Sequence, residues 1–315
     1  MCRFRRNGPA LLNTIYPSGV KFKFGSGNLK ENNMKASKMI RHLLASAALS
    51  VITGLTSFAG AATVVVSPGN MDGWAFATTD SNGDAATFPG TITQMVTGPA
   101  APPAGIGSAE LGTAPGHGDG AAQISTTNFD GTPLGSINSL SYSTYDTVNN
   151  GQQFPYMQVF VSTTGSGPAD DWLTFEPPYQ QPATGNPGLP DQGAPAPLQW
   201  QQWNALEGGW YDADGFLGTN PGGSGDVDSL GSFLTQFPSA TIEDSPFPGG
   251  LGGIELLVGY GGPTDNFDGN VDAVTIGTAG GTSTYDFEPA SVPEPASLSL
   301  LGIGAGGLML RRRRA

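Results

Sequence analysis

From residue 42 to residue 310 the chain contains no lysine and no arginine. Nine of its 13 basic residues lie at or before Arg41, and the other four are Arg311, Arg312, Arg313 and Arg314; every acidic residue except Glu31 falls between the two groups. A body built this way has no lysine or arginine for a salt bridge. Each carboxylate must be solvated, hydrogen-bonded or held by a bound cation, because unpaired burial costs several kcal/mol or forces protonation. The body also lacks the charge that neutralises phosphate, which excludes nucleic acid and anionic lipid as its partners.

Cysteine is nearly absent as well. Cys2 is the only one, so the chain beyond it has no disulfide, no thiolate nucleophile and no thiolate metal ligand. Histidine is equally scarce: after His42 there is only His117, in PGHGDG. A Ser-His-Asp triad would have to use it, with Asp119 nearby, and no G-x-S-x-G elbow accompanies it. A loop histidine without a catalytic role is the plainer reading. No long stretch keeps apolar residues at helical spacing, and no fixed-period repeat occurs.

What is present divides into four parts. Residues 1–33 read as an over-extended start. From Met34, MKASKMIRH is a short basic stretch, LLASAALSVITGLTSFAGA is apolar, and Ala59-Gly60-Ala61 ends it with small residues. That is the order of a secretory signal peptide over residues 34–61, cut after Ala61; a retained transmembrane helix fits less well, because the small-residue site follows directly. Residues 62–290 are the acidic body. Residues 291–315 end in VPEPASLSLLGIGAGGLMLRRRRA, whose apolar run from Ser297 to Leu310 is fourteen residues long. As a helix that is about 21 Å, short against a hydrocarbon core of roughly 30 Å. It reads as a short transmembrane helix, inserted at least transiently, with the arginines kept on the cytoplasmic side.

The order of that last part, Val292-Pro293-Glu294-Pro295, then an apolar helix, then Arg311 to Arg314, resembles the PEP-CTERM sorting signal of Gram-negative bacteria. The resemblance implies an exosortase in the cytoplasmic membrane as the processing partner. It makes Pro293, Glu294 and Pro295 a recognition motif rather than catalytic residues, and it implies an exported protein associated with exopolysaccharide.

The body itself reads as all-β. Short alternating runs, GTITQMVTG, AAQIST, INSLSYSTY, PYMQVFVST, WLTFE, IELLVGY and NVDAVTIG, are separated by turn residues, which predicts a β-sandwich of jelly-roll type. SLGSFLTQFPSAT is the one candidate for a short helix. VTGPAAPPAGIGS and the segment from Glu176 to Leu198 are too rich in proline for central strands. The succession SLSYSTYD, PYMQVFVST, DDWLTFEPPY, WQQWNALEGGWYD, DNFDGNVDAVTIG and TYDFEP is similar to secreted bacterial β-sandwich domains of unassigned function.

Three constellations could carry chemistry in the body. DSNGD places Asp80, Asn82 and Asp84 at alternate positions around Gly83, and DNFDGNVD offers Asp265, Asp268 and Asp272 with Asn266 and Asn270. Hard cations take several converging oxygens, so calcium is the candidate ligand of both; a polar turn and a solvated strand face are the plainer alternatives. In WQQWNALEGGWYD, Trp203, Trp210 and Tyr211 could form a sugar-stacking platform rimmed by Asp212 and Asp214, against the alternative that these aromatics fill the core. Asp170, Asp171 and Glu176 could supply a glycosidase carboxylate pair. The expectation is an exported surface or extracellular-matrix protein of structural or adhesive role, without enzymatic activity and with no required cofactor. A carbohydrate-binding module and a secreted polysaccharide-active enzyme are its alternatives.

Overall fold

The structure is a computed structural model that describes residues 61–182, 188–212, 217, 227–247, 249 and 252–290. Residues 1–33, expected to be an over-extended start, the expected signal peptide as far as Gly60, and the expected sorting tail with Val292 to Pro295 and Arg311 to Arg314 lie outside the described residues. Among the described residues no helix is long and apolar enough to cross a membrane.

Fourteen strands occur in these residues: β1 Ala62–Val66, β2 Trp74–Thr79, β3 Ile92–Thr97, β4 Gly107–Gly112, β5 Ala121–Thr126, β6 Ser139–Val148, β7 Tyr156–Ser162, β8 Asp171–Phe175, β9 Gln201–Asn204, β10 Tyr211–Asp212, β11 Thr241–Ile242, β12 Ile254–Gly259, β13 Asp268–Thr278 and β14 Gly281–Phe287. The single described α-helix, α1 Leu230–Gln236, falls inside SLGSFLTQFPSAT, and the Ser229 side chain caps it by accepting from the Ser232 N–H at 3.2 Å. All seven alternating runs named above contain a strand.

The strands form two sheets of a sandwich. In the first, β9, β6 and β13 lie side by side, and the far edge of β13 is shared by β4 with β3 and by β14 with β1. In the second the order is β10-β8-β7-β12-β5-β2, with β11 added to the end of β7. β1 runs parallel to β14, from Ala62 opposite Ser283 to Val66 opposite Phe287. The first strand therefore starts directly after Ala61, and cleavage there would leave every described strand whole.

Alternation along each strand divides the core from the outside. In β7, Met157, Val159 and Val161 join the main core cluster; in β12, Ile254, Leu256 and Val258 do so. The remaining residues of those strands face away from the other sheet, on the outer surface of the second sheet. The core is heavy in aromatics, with Trp203, Trp210, Tyr142, Phe175, Phe233 and Phe287 among its largest fully buried side chains. Large rings of this kind account for much of the apolar area a sandwich removes from water.

β13 is bent at its centre. Its register with β6 shifts between Asp272 and Thr275, and Ala273 has φ of 51°. This bulge lets one strand pair with β4 in its first half and β14 in its second. Asp272 sits beneath it: Oδ1 accepts from the Phe287 N–H at 3.1 Å, and Oδ2 from the Ala104 N–H at 3.0 Å.

Candidate functional site

The outer face of the second sheet is concave and polar rather than solvated at random. β5 contributes Gln123, β12 contributes Glu255, β7 contributes Tyr156, Gln158 and Phe160, and β8 contributes Trp172 and Thr174, with Glu176 just beyond its end. Register sets them in rows: Glu255 lies opposite Gln158, Gln158 opposite Thr174, and Thr174 opposite Tyr211 of β10. Loops raise the walls, with Ser81, Asn82 and Gly83 after β2, Ser245 and Phe247 after β11, and Tyr260 after β12. The result is a cleft of about 520 Å³, inside the size range of ligand pockets.

One wall is aromatic. The Trp172 ring meets Phe247 edge-on, with centroids 5.5 Å apart and planes at 72°, and Phe160 lies 6.3 Å from Trp172 and 6.0 Å from Phe247. Trp172 and Phe247 are half-buried, which leaves ring surface open to the cleft. Gly83 holds the loop above them at φ 77°, and a Cβ there would come within 3.2 Å of the Phe247 ring.

The floor is made of amides, hydroxyls and carboxyls. The Gln123 Nε2 donates to Glu255 Oε1 at 3.0 Å, the Tyr211 hydroxyl donates to Glu176 Oε1 at 2.8 Å, and the Gln158 Nε2 donates to Thr174 Oγ1 at 3.2 Å. At the rim the Thr79 and Tyr260 hydroxyls are 2.7 Å apart. Glu176 is 7 % exposed and Glu255 2 %. Burial pushes the Glu176 carboxyl up to about 7, and the Tyr211 hydrogen bond holds it back only in part. The same burial, with the charge of Glu176 beside it, raises the Tyr156 and Tyr211 hydroxyls well above their ordinary range.

The residues singled out in the sequence are distributed differently. Trp203 and Trp210 are fully buried between the sheets, their Nε1 atoms donating at 2.8 Å to Thr144 Oγ1 and to the Ala205 carbonyl. They present no face to a ligand, so a platform built on them is corrected to a core pair; Tyr211 alone of the three reaches the cleft. Asp212 also lines it, and Asp214 is outside the described residues. Trp200 is half-buried in a loop contact, donating to the Pro99 carbonyl at 2.9 Å.

Three of the calcium candidates, Asp80, Asp265 and Asp272, accept hydrogen bonds from the protein itself. Asp80 Oδ1 accepts from the N–H groups of Asn82 and Asp84 at 2.8 and 3.1 Å, which closes the turn on itself and holds the Asp80 carboxyl below its usual range. Asp265 accepts from Asn150 and the Gly262 N–H, and Asp272 from the two N–H groups given above. Among the described residues no group of three or more such side chains is placed to hold a metal ion. The DSNGD loop is instead part of the cleft rim, through Ser81, Asn82 and Gly83. Asp268 is half-buried on β13, on a different sheet.

Of the glycosidase candidates only Glu176 lines the cleft. Asp170 accepts from the Thr163 N–H and hydroxyl at 2.7 and 2.8 Å, and Asp171 is buried in β8. His117 stacks on Phe88 with centroids 3.8 Å apart and does not line the cleft.

Set against known protein families, residues 291–314 match the PEP-CTERM protein-sorting motif. The chain carries a PEP-CTERM sorting tail. It is thereby an exported protein, sorted towards the cell surface through an exosortase. No curated protein and no solved structure matches it. The PEP-CTERM tail follows directly on the described residues after β14, on the first sheet, whereas the cleft opens on the outer face of the second.

Individual cleft residues left a signal in the sequence, although their assembly into one site did not. Gln123 in AAQIST, Gln158 in PYMQVFVST and Glu255 in IELLVGY are single long polar residues inside otherwise apolar strands, and WLTFE alternates Trp172, Thr174 and Glu176 on one face. A long polar side chain at an alternating position of a buried strand marks an outer face that something covers.

Proposed function

We propose that this exported protein has an adhesive role at the cell surface or in the extracellular matrix, and that it binds polysaccharide in the cleft on its second sheet. The observation that carries the reading is the pairing of one aromatic wall, Phe160, Trp172 and Phe247, with a floor of amides and carboxyls. Sugars present apolar ring faces and a fringe of hydroxyls, so a stacking surface beside convergent polar groups matches both. The role is non-enzymatic: the sandwich holds glycan, and the tail supplies the address. Calcium has no assigned part.

The test is co-sedimentation of the purified full-length protein with the producing organism's own exopolysaccharide, in calcium and in chelator. Saturable binding is expected in both. Trp172→Ala removes the open indole and should weaken binding by about two- to tenfold, since aromatic packing is worth about 0.5–1.5 kcal/mol beyond area burial. Unchanged binding by that variant, or release of reducing ends from the bound polysaccharide, would overturn the reading.

A further inference from the structure

On the outer face of the first sheet an apolar segment covers two carboxyls. Residues 99–106, between β3 and β4, read PAAPPAGI and hold no charge and no hydrogen-bonding side chain. Backbone groups fasten the segment across the face: the Ala104 N–H donates to Asp272 Oδ2 at 3.0 Å, the Ile106 N–H donates to Glu288 Oε1 at 2.6 Å, and the Pro99 carbonyl accepts from Trp200 Nε1 at 2.9 Å. Asp286 alternates with Tyr285 and Phe287 of the core, so it points to the same face, and a Cβ at Gly105 would crowd its Oδ1. Asp272 and Asp286 are buried, whereas Ala100, Ala101, Pro103 and Ile106 are exposed. Of the five large hydrophobic side chains exposed among the described residues, four belong with this sheet: Val65 of β1, Ile106, Val148 of β6, and Leu198, whose N–H donates to the Asp146 carbonyl of β6. Only Tyr260 lies on the cleft side.

The chain leaves the sandwich from the same patch. The Glu288 N–H donates to the Val66 carbonyl at 2.8 Å and the Glu288 carboxyl holds Ile106, so the chain is fastened three residues before the sorting motif begins at residue 291. From Pro289 to Ser297, where the apolar run starts, the chain reaches about 29 Å at most. With that run in a bilayer, the exit patch stays within this distance of the lipid surface. Contiguous exposed apolar surface marks a site of contact. We propose that this face, centred on residues 99–106 and Val65, docks on the zwitterionic lipid surface beside the inserted tail and turns the cleft of the second sheet away from the membrane. Net anionic lipid is disfavoured, because Glu110 stands on β4 of the same sheet and no lysine or arginine lies between residues 42 and 310 to attract it.

The docking does not depend on the glycan reading, and its test keeps the tail in place. Full-length protein with Cys2→Ser receives a single new cysteine, Ala101→Cys in the apolar segment or Ser81→Cys on the cleft rim, and a polarity-sensitive fluorophore is attached there. The protein is reconstituted with phosphatidylcholine vesicles that contain a nitroxide-labelled lipid, and co-sedimentation reports insertion of the tail. The probe at position 101 should shift to the blue and be quenched by the nitroxide, while the probe at position 81 should keep its emission in water. Ile106→Asp should lower the quenching at position 101 by about half or more, since it replaces an apolar anchor by a charge. Co-sedimentation should be unchanged, and the fluorescence of the buried Trp203 and Trp210 reports that the variant is folded. Phosphatidylglycerol added to the vesicles should weaken the quenching. Water-like emission from both probes in a chain that co-sediments overturns the docking, as does failure to co-sediment or quenching that grows with phosphatidylglycerol. Quenching at position 101 that requires an exosortase in the same vesicles would assign the face to that protein instead.

Discussion

Tyr211 and Glu176 show how a single contact tunes the floor of the cleft. Glu176 is pushed up to about 7 by burial, and the Tyr211 hydroxyl donates to it at 2.8 Å, which favours the ionised form and moves the carboxyl the other way. Removing that donor should leave burial unopposed. In Tyr211→Phe the Glu176 midpoint is expected to rise further, by about half a unit to one unit, and carboxyl-resolved NMR titration would read it; a midpoint that stays or falls would mean that the hydroxyl does not act on Glu176. The same scale explains why Trp203 and Trp210 could not be assigned from composition. An indole in a strand has equal claim to either face until the partner sheet is placed, and here both lie inside while Trp172, which no aromatic cluster announced, lies on the cleft.

At the scale of elements, legibility followed the strength of the alternating pattern. β3, β5, β6, β7, β8, β12 and β13 could be read because apolar and polar residues alternate over five or more positions. β4, with the sequence GSAELG, carries little β propensity and becomes a strand because β3 and β13 flank it on both sides. β10 and β11, two residues each, are made by their partners alone. The bulge of β13 is another tertiary decision: Ala273 at φ 51° is a conformation that β-branched residues adopt only under strain. Ala273→Val is expected to cost roughly 1–3 kcal/mol, whereas Ala273→Gly should change stability by about 1 kcal/mol or less. Denaturant unfolding of both variants measures the difference. Equal stabilities would remove the bulge from any role in letting β13 serve two neighbours.

For the whole molecule, the missing bases set the response to pH. Burial raises Glu176 to about 7 and Asp272 to about 7, and raises Asp146 and Asp286 to about 6, from 4.5 for the glutamate and 3.8 for the aspartates when unfolded. Because each folded value lies above the unfolded one, the folded state binds more protons between them, and stability falls as pH rises through that window. The protein should therefore be most stable near pH 4 and lose stability up to about pH 7, with Glu176 alone worth on the order of 3 kcal/mol. Thermal unfolding across this range, with Glu176→Gln as the comparison, is the measurement: the variant should show a shallower decline. A midpoint that climbs from acid to neutral pH would mean that these carboxyls are better solvated than their burial indicates.

The sequence by itself determined the address and the charge. A sorting tail is read by other proteins as a linear string, so the message lies in its residues, and an absence of lysine and arginine over 62–290 holds whatever shape those residues take. It also determined that the body is a sandwich, because period-two alternation is a local property. The cleft was decided by the tertiary structure. Gln123, Tyr156, Trp172, Glu176 and Glu255 are spread over more than a hundred residues, and only the order β10-β8-β7-β12-β5-β2 puts them side by side. Strand order depends on non-local pairing, whose loop-closure cost and registry no short window of sequence contains.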